Sequence, residues 1–135
     1  MIGVFLAVAI IFGIAVLYFL SRLGRKLAKP LNREYFENKW SELLAMVKSP
    51  EGMVLAVIDA DKLLDEALKK RGYKGKTMGE RMVAAQRDFT SNDSVWHAHK
   101  LRNRLVHEPN VRLRKSEARS ALEGIKRGLK DLGAL

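Results

Sequence analysis

The chain contains no cysteine. That excludes disulfides, thiolate metal sites and a thiol nucleophile. Only three prolines, Pro30, Pro50 and Pro109, punctuate 135 residues, so long stretches are free to run as helix. No acidic residue precedes Glu34, and residues 2–20 carry no charge of either sign. Nowhere does a strict apolar/polar alternation suggest a strand, and there is no internal repeat or low-complexity segment. The sequence also lacks a glycine-rich phosphate loop and any cluster of His, Asp and Glu at metal-ligand spacing, so no metal or other cofactor is expected.

The uncharged run, Ile2 to Leu20, is 19 residues long, which as a helix spans roughly 28 Å, close to the hydrocarbon thickness of a bilayer. Tyr18 near its end suits the interface, and Arg22, Arg25, Lys26 and Lys29 follow at once. By the positive-inside rule this end is cytoplasmic and Met1 outside, giving a single-pass protein of the cell membrane with its C-terminal domain in the cytoplasm. A cleaved signal peptide is the competing reading, but the run has no basic stretch before it and no small-x-small site after it. The expected organisation is a transmembrane anchor over 1–21, a basic juxtamembrane linker over 22–32 and a helical domain over 33–135. The partner of residues 2–20 is the lipid bilayer.

The remaining chain reads as capped amphipathic helices. Asn32 caps a helix over about 33–48 with Phe36, Trp40, Leu43, Leu44 and Val47 on one stripe. Ser49-Pro50-Glu51 opens a second, to about Arg71, with Met53, Ala56, Val57, Ala60, Leu63, Leu64, Ala67 and Leu68 inward. Thr77-Met78-Gly79-Glu80 is a capping box for a short helix to about Asp88. A helix over about 93–107 stops before Pro109. The last, about 114–132, carries Ala118, Ala121, Leu122, Ile125, Leu129 and Leu132 and ends at Gly133. The fold class is all-α: an N-terminal transmembrane helix followed by a small antiparallel helical bundle.

The formal net charge of +10 is uneven. Residues 21–50 hold seven Lys/Arg against three Asp/Glu, residues 51–95 hold eight of each, and residues 96–135 hold ten against four. The first excess suits anionic lipid and the second a polyanion such as RNA. A solvated basic surface explains the same charges without a ligand.

The second excess surrounds Lys100-Leu101-Arg102-Asn103-Arg104-Leu105-Val106-His107. At 100° per residue, Ala98, Leu101, Leu105 and Val106 form the core arc and Arg102 falls inside it. His97, Lys100 and Arg104 point to solvent, while His99, Asn103 and His107 form a ridge flanked by Trp96. A guanidinium on an apolar face needs a carboxylate, a partner subunit or a phosphate. Asp61 and Asp65 are the carboxylate candidates, and an Arg102–Asp bridge would simply fix two helices together. A His in the last helical turn, as at position 107, equally suits the exposed carbonyls, and His99 equally suits a hydrogen bond to a neighbouring helix.

This stretch resembles the signature of the HEPN domain superfamily, an Arg followed after four to six residues by His, often with a polar residue directly after the Arg. Arg102, Asn103 and His107 match it, and the helical context extends the likeness over roughly residues 33–133. The resemblance implies a small helical bundle that acts as a homodimer through the motif helix. It also implies metal-independent endoribonuclease chemistry, or else a non-catalytic interaction or nucleotide-binding module. In the catalytic case the ribose 2′-OH attacks the adjacent phosphate, Arg102 stabilises the non-bridging oxygens, His107 moves a proton and Asn103 orients the phosphate or the ring. Lys100, Arg104 and His99 are then the expected RNA-binding residues, and the partner is RNA or a nucleotide.

Overall fold

The computed structural model describes residues 1–26 and 30–135, with the side chains of 24–26 set aside. Six helices and no strand occur among the described residues. Helix α1 (Ile2–Lys26) is uncharged on all sides from Ile2 to Leu20 and exposed from Ile2 to Leu23. Its segment Ile2–Leu23 is long and apolar enough to cross a membrane. It packs against none of the other helices among the described residues. The helix runs past the expected end of the anchor into the basic segment, whose Lys29 lies outside the described residues.

Helices α2 (Arg33–Met46), α3 (Pro50–Arg71), α4 (Met78–Ala85), α5 (Asn92–His107) and α6 (Lys115–Asp131) form the bundle. Their ends follow local chemistry. Asn32 Oδ1 accepts the Tyr35 amide at 3.1 Å, Ser49 Oγ accepts the Gly52 amide at 3.0 Å, and Thr77 Oγ1 accepts the Glu80 amide at 3.2 Å. The Glu80 carboxylate reaches back to the Lys76 amide rather than that of Thr77. Gly72 closes α3 with φ of 89°, a left-handed value that a Cβ disfavours, so that the Tyr73 amide can reach the Leu68 carbonyl at 3.1 Å. The start of α5 has no side-chain cap. Instead Thr90 donates to Asp131 through its amide at 2.8 Å, joining the start of α5 to the end of α6.

Helix α3 is the hub: α2, α4, α5 and α6 all pack on it, and α5 and α6 pack on each other. The core fills with Phe36, Leu64, Leu68, Met82, Ile125 and Leu129, all fully buried, each worth about 1.5–3 kcal/mol of transfer free energy. The apolar stripes of α3 and α6 are buried as the sequence indicates. Two expectations are corrected. Leu44 is 46 % exposed and Val47 half-buried, because α2 packs on α3 alone and its outer flank has no covering helix. Val106 is 47 % exposed: the fully buried residues of α5 end at Leu101, and in its last turn Leu105, not Val106, packs against the core.

Arg81, on the short helix α4, is buried to 7 % exposure, which its sequence position did not announce. Its Nε and Nη2 donate to the two oxygens of Asp65 at 2.7 and 2.9 Å, and Nη1 donates to the Gly75 carbonyl at 2.8 Å. Lys69 adds a contact to Asp65 at 3.0 Å. Partial burial of Asp65 opposes its ionisation, but the hydrogen bonds from Arg81 and Lys69 prevail and hold its carboxyl below the ordinary value. Because the folded value is depressed, this pair stabilises the fold at neutral pH and loses that contribution as pH falls below the usual carboxylate range.

Close approach of α5 and α6 depends on glycine. A Cβ at Gly124 would lie 2.7 Å from the Ser94 carbonyl oxygen, and one at Gly128 would lie 3.2 Å from Val95 Cγ2. The first contact is with backbone, which cannot swing away. Gly124→Ala is therefore expected to cost about 3 kcal/mol in overpacking, less about 1 kcal/mol from the better helix propensity of Ala. Thermal unfolding of the full chain in detergent, followed by circular dichroism, checks this: the variant should melt lower, and an unchanged or higher midpoint would contradict the packing.

Candidate functional site

The site is assembled by α5 lying across α3. Val95, Ala98 and Leu101 bury one stripe of α5 in the core, and this sets the rotation of everything else on the helix. One turn around from that stripe, His99 and Arg102 face α3 and meet Asp61. Asp61 is 2 % exposed. His99 Nδ1 lies 3.0 and 3.2 Å from its two carboxylate oxygens, and Arg102 Nε lies 3.5 Å from Oδ2. A carboxylate this deep would be costly alone, and it is held here between two basic side chains.

Asn103 completes the constellation. Arg102 Nη1 donates to Asn103 Oδ1 at 3.0 Å, and Asn103 Nδ2 sits 3.3 Å from His99 Nε2. The directions of these bonds follow from what each group can do. Guanidinium is only a donor, so the oxygen of the Asn103 amide faces it and the NH₂ group faces the ring. That NH₂ is also only a donor, so Nε2 accepts, and the ring proton sits on Nδ1, aimed at Asp61. The result is a one-way chain of donors, Arg102 to Asn103 to His99 to Asp61, with a neutral imidazole in it. Trp96 packs edge-on against His99 with ring centroids 6.0 Å apart.

Arg102 bridges the interior and the surface. Its side chain is 25 % exposed, and its Nε is buried without a hydrogen bond despite the nearby carboxylate. Arg104 is 52 % exposed and lies 3.7 Å from Glu108. His97, Lys100 and His107 are exposed. Of the residues singled out in sequence, then, Arg102, Asn103 and His99 come together, while Lys100, Arg104 and His107 stand apart on the surface of the same helix. Arg102 and His107, five positions apart, project about 140° from one another around the helix axis, so one chain does not present both to a single phosphate from one face. Asp65 is engaged by Arg81 and Lys69 and is not a partner of Arg102.

Sequence reasoning named Asp61 as a partner for Arg102 but did not join it to His99. The signal was available in the i, i+4 pairing of His99 with Asn103, which puts two polar groups on the flank of a buried stripe, opposite an aspartate on an otherwise aliphatic helix face. No group of three or more His, Cys, Asp or Glu suited to a metal ion occurs among the described residues. No family model, curated protein or solved structure matches this chain.

The geometry separates neighbouring arginines. Asp61→Ala leaves Arg102 and His99 without their shared carboxylate and is expected to destabilise the bundle by about 3–5 kcal/mol. Arg104→Ala removes an exposed group and is expected to stay within about 0.5 kcal/mol. Denaturant titration of both variants measures this, and comparable small effects would mean that the α3–α5 contact is not held by Asp61.

Proposed function

We propose that this chain is a membrane-anchored, HEPN-like helical domain that binds RNA through the Arg102–Asn103 edge of α5 and cleaves it without a metal. Single-pass insertion of α1, with Met1 outside and the bundle in the cytoplasm, is part of this reading. It is supported by the length and apolarity of the helix and the cations that follow it. The observation that carries the RNA reading is the state of Arg102: a quarter exposed, with Nε buried 3.5 Å from Asp61 and Nη1 tied to Asn103. A guanidinium fixed in orientation and partly open to solvent is well suited to a phosphate oxygen. Exposed Lys100 and Arg104 on the same helix add attraction for a polyanion.

In the proposed reaction the 2′-OH attacks the adjacent phosphorus and the 5′-oxygen leaves. Arg102 stabilises the charge that builds on the non-bridging oxygens, and Asn103 keeps Arg102 oriented. His107 of one chain accepts the 2′-OH proton as the new O–P bond forms, and the protonated His107 of a second chain gives one to the departing 5′-oxygen. Because Arg102 and His107 leave α5 in different directions, a two-fold homodimer through the motif helix is the arrangement that brings Arg102 of one chain to His107 of the other. Tethering in one membrane raises the local concentration for that pairing. DNA, lacking the 2′-OH, is not a substrate for this route.

A second reading is favoured by Asp61 itself. The buried carboxylate already gives Arg102 a counter-charge, and His99 is fully engaged, as expected of a non-catalytic, membrane-tethered interaction or nucleotide-binding module whose polar network serves the fold. One experiment separates the two. Detergent-solubilised full chain is incubated with single-stranded RNA in excess chelator, alongside His107→Ala and Arg102→Ala. The ribonuclease reading expects cleavage that His107→Ala lowers by roughly 100-fold or more without changing the melting midpoint. Absence of cleavage in the unaltered chain, with Arg102→Ala acting only on stability, would leave the interaction module.

A further inference from the structure

Helices α2 and α6 both pack on α3 without packing on each other, and the space between them is an open trough of about 400 Å³. Its lining is apolar: Trp40, Leu44 and Val47 from α2, Met53 from α3, and Ala118 and Leu122 from α6. Trp40 is only 6 % exposed, yet its indole Nε1 is buried with no hydrogen-bond partner. The α6 wall of the trough carries Lys115, Arg119 and Lys126 against a single acid, Glu123. A second hollow of about 410 Å³ lies along the same helix and is lined by Lys115, Ser116, Arg119, Ser120 and Glu123. Lys115, Arg119 and Glu123 border both, so the apolar trough adjoins a shelf that carries two cations, one acid and two hydroxyls.

A ligand for these two adjoining spaces needs an apolar tail and an anionic head with several acceptor oxygens. The chain carries a source of such molecules with it. Seven residue steps separate the end of α1 at Lys26 from the start of α2 at Arg33, a reach of at most about 25 Å. If α1 spans the bilayer, as the proposed function holds, the bundle cannot leave the headgroup surface by more than that. We propose that the α2–α6 trough is a binding site for one anionic phospholipid of the anchoring leaflet. An acyl chain lies along Trp40, Leu44 and Leu122, and the phosphate sits on Lys115 and Arg119 with Ser116 and Ser120 as further donors. An amphipathic acidic helix from another protein would match the trough and its rim. It would not use the adjoining shelf with its two hydroxyls, and the tether gives no reason for such a helix to be near.

The test uses the full chain with Trp96→Phe, which leaves Trp40 as the only tryptophan. The protein is reconstituted into vesicles of phosphatidylcholine containing a minor fraction of either phosphatidylglycerol or phosphatidylcholine with brominated acyl chains, and Trp40 fluorescence is read. The bundle stands outside the bilayer, so bromine reaches Trp40 efficiently only from a lipid seated in the trough. Brominated phosphatidylglycerol should quench Trp40 well beyond brominated phosphatidylcholine. Lys115→Gln with Arg119→Gln should raise the phosphatidylglycerol fraction needed for half-quenching on the order of 30-fold, the effect of two cations near a membrane surface, with the helical circular dichroism signal retained. Equal quenching by the two lipids, or no effect of the double substitution, overturns the site while leaving the anchor intact. Displacement of the quenching lipid by a soluble acidic amphipathic peptide at micromolar concentration would assign the trough to a protein helix instead. A chain that does not enter vesicles at all removes the anchor and this site together.

Discussion

Asp61 is a carboxylate with almost no access to water, on a helix whose other inward residues are aliphatic. A charge in that position is tolerated only where opposite charge and hydrogen-bond donors converge on it, and α5 meets that demand with His99 and Arg102. The requirement constrains α5 in rotation and in height. Its apolar stripe of Val95, Ala98 and Leu101 must enter the core while His99 and Arg102, three positions apart, reach the same two oxygens. Sliding α5 along its axis by one residue would turn the basic pair away and strand the carboxylate. The glycines of α6 work toward the same end from the opposite side. With no Cβ at Gly124 or Gly128, α6 sits close against α5 over the turn that precedes the polar cluster.

The consequence for chemistry is that α5 is divided. Its inner edge is a directional chain of hydrogen bonds ending on Asp61, saturated except at Arg102. Its outer edge carries Lys100, Arg104 and His107 in solvent. Arg102 belongs to both, and its orientation is fixed by Asp61 behind it and Asn103 beside it. Preorganisation of this kind is what lets a surface cation act on phosphate without spending binding energy on ordering its own side chain. The same features describe a strong helix-to-helix contact, and for that reason the functional reading rests on turnover rather than on the fold.

Much of this architecture was legible in the sequence, and the reasons are specific. Asn32, Ser49-Pro50 and Gly72 are strong punctuation because each solves the problem of unpaired backbone groups at a helix end, and the helices begin and stop where these residues stand. The stripes of α3 and α6 were readable because the apolar residues of each pack against neighbouring helices. Leu44 and Val106 departed from expectation because periodicity reports which residues share a face, not whether another element covers that face. Arg81 and Gly124 were missed for the complementary reason. Burial of a guanidinium on a short helix, and the need for a missing Cβ, both arise from the neighbouring helix, which local sequence does not describe. In the polar cluster, helical phase placed Arg102 on an inward arc and named Asp61, but the pairing of His99 with that same aspartate depends on the offset between α3 and α5. That offset is a tertiary quantity with no sequence counterpart.

Helix α1 stands apart from these arguments energetically, since the bundle draws nothing from it and the core closes without it. In the proposed reading its role is one of location: inserted in a bilayer, it would keep a basic bundle at a surface that attracts basic side chains. The centre of the account remains the cluster on Asp61, and one spectroscopic measurement addresses it directly. Nitrogen-15 chemical shifts of the His99 ring, recorded near neutral pH in uniformly labelled full chain and assigned with His99→Gln, report which nitrogen carries the proton. The account requires a neutral ring protonated at Nδ1, with Nε2 unprotonated and accepting from Asn103, and loss of that signature in Asp61→Asn. A ring protonated at Nε2, or one averaging between tautomers like an exposed histidine, would show that the chain from Arg102 to Asp61 is not present.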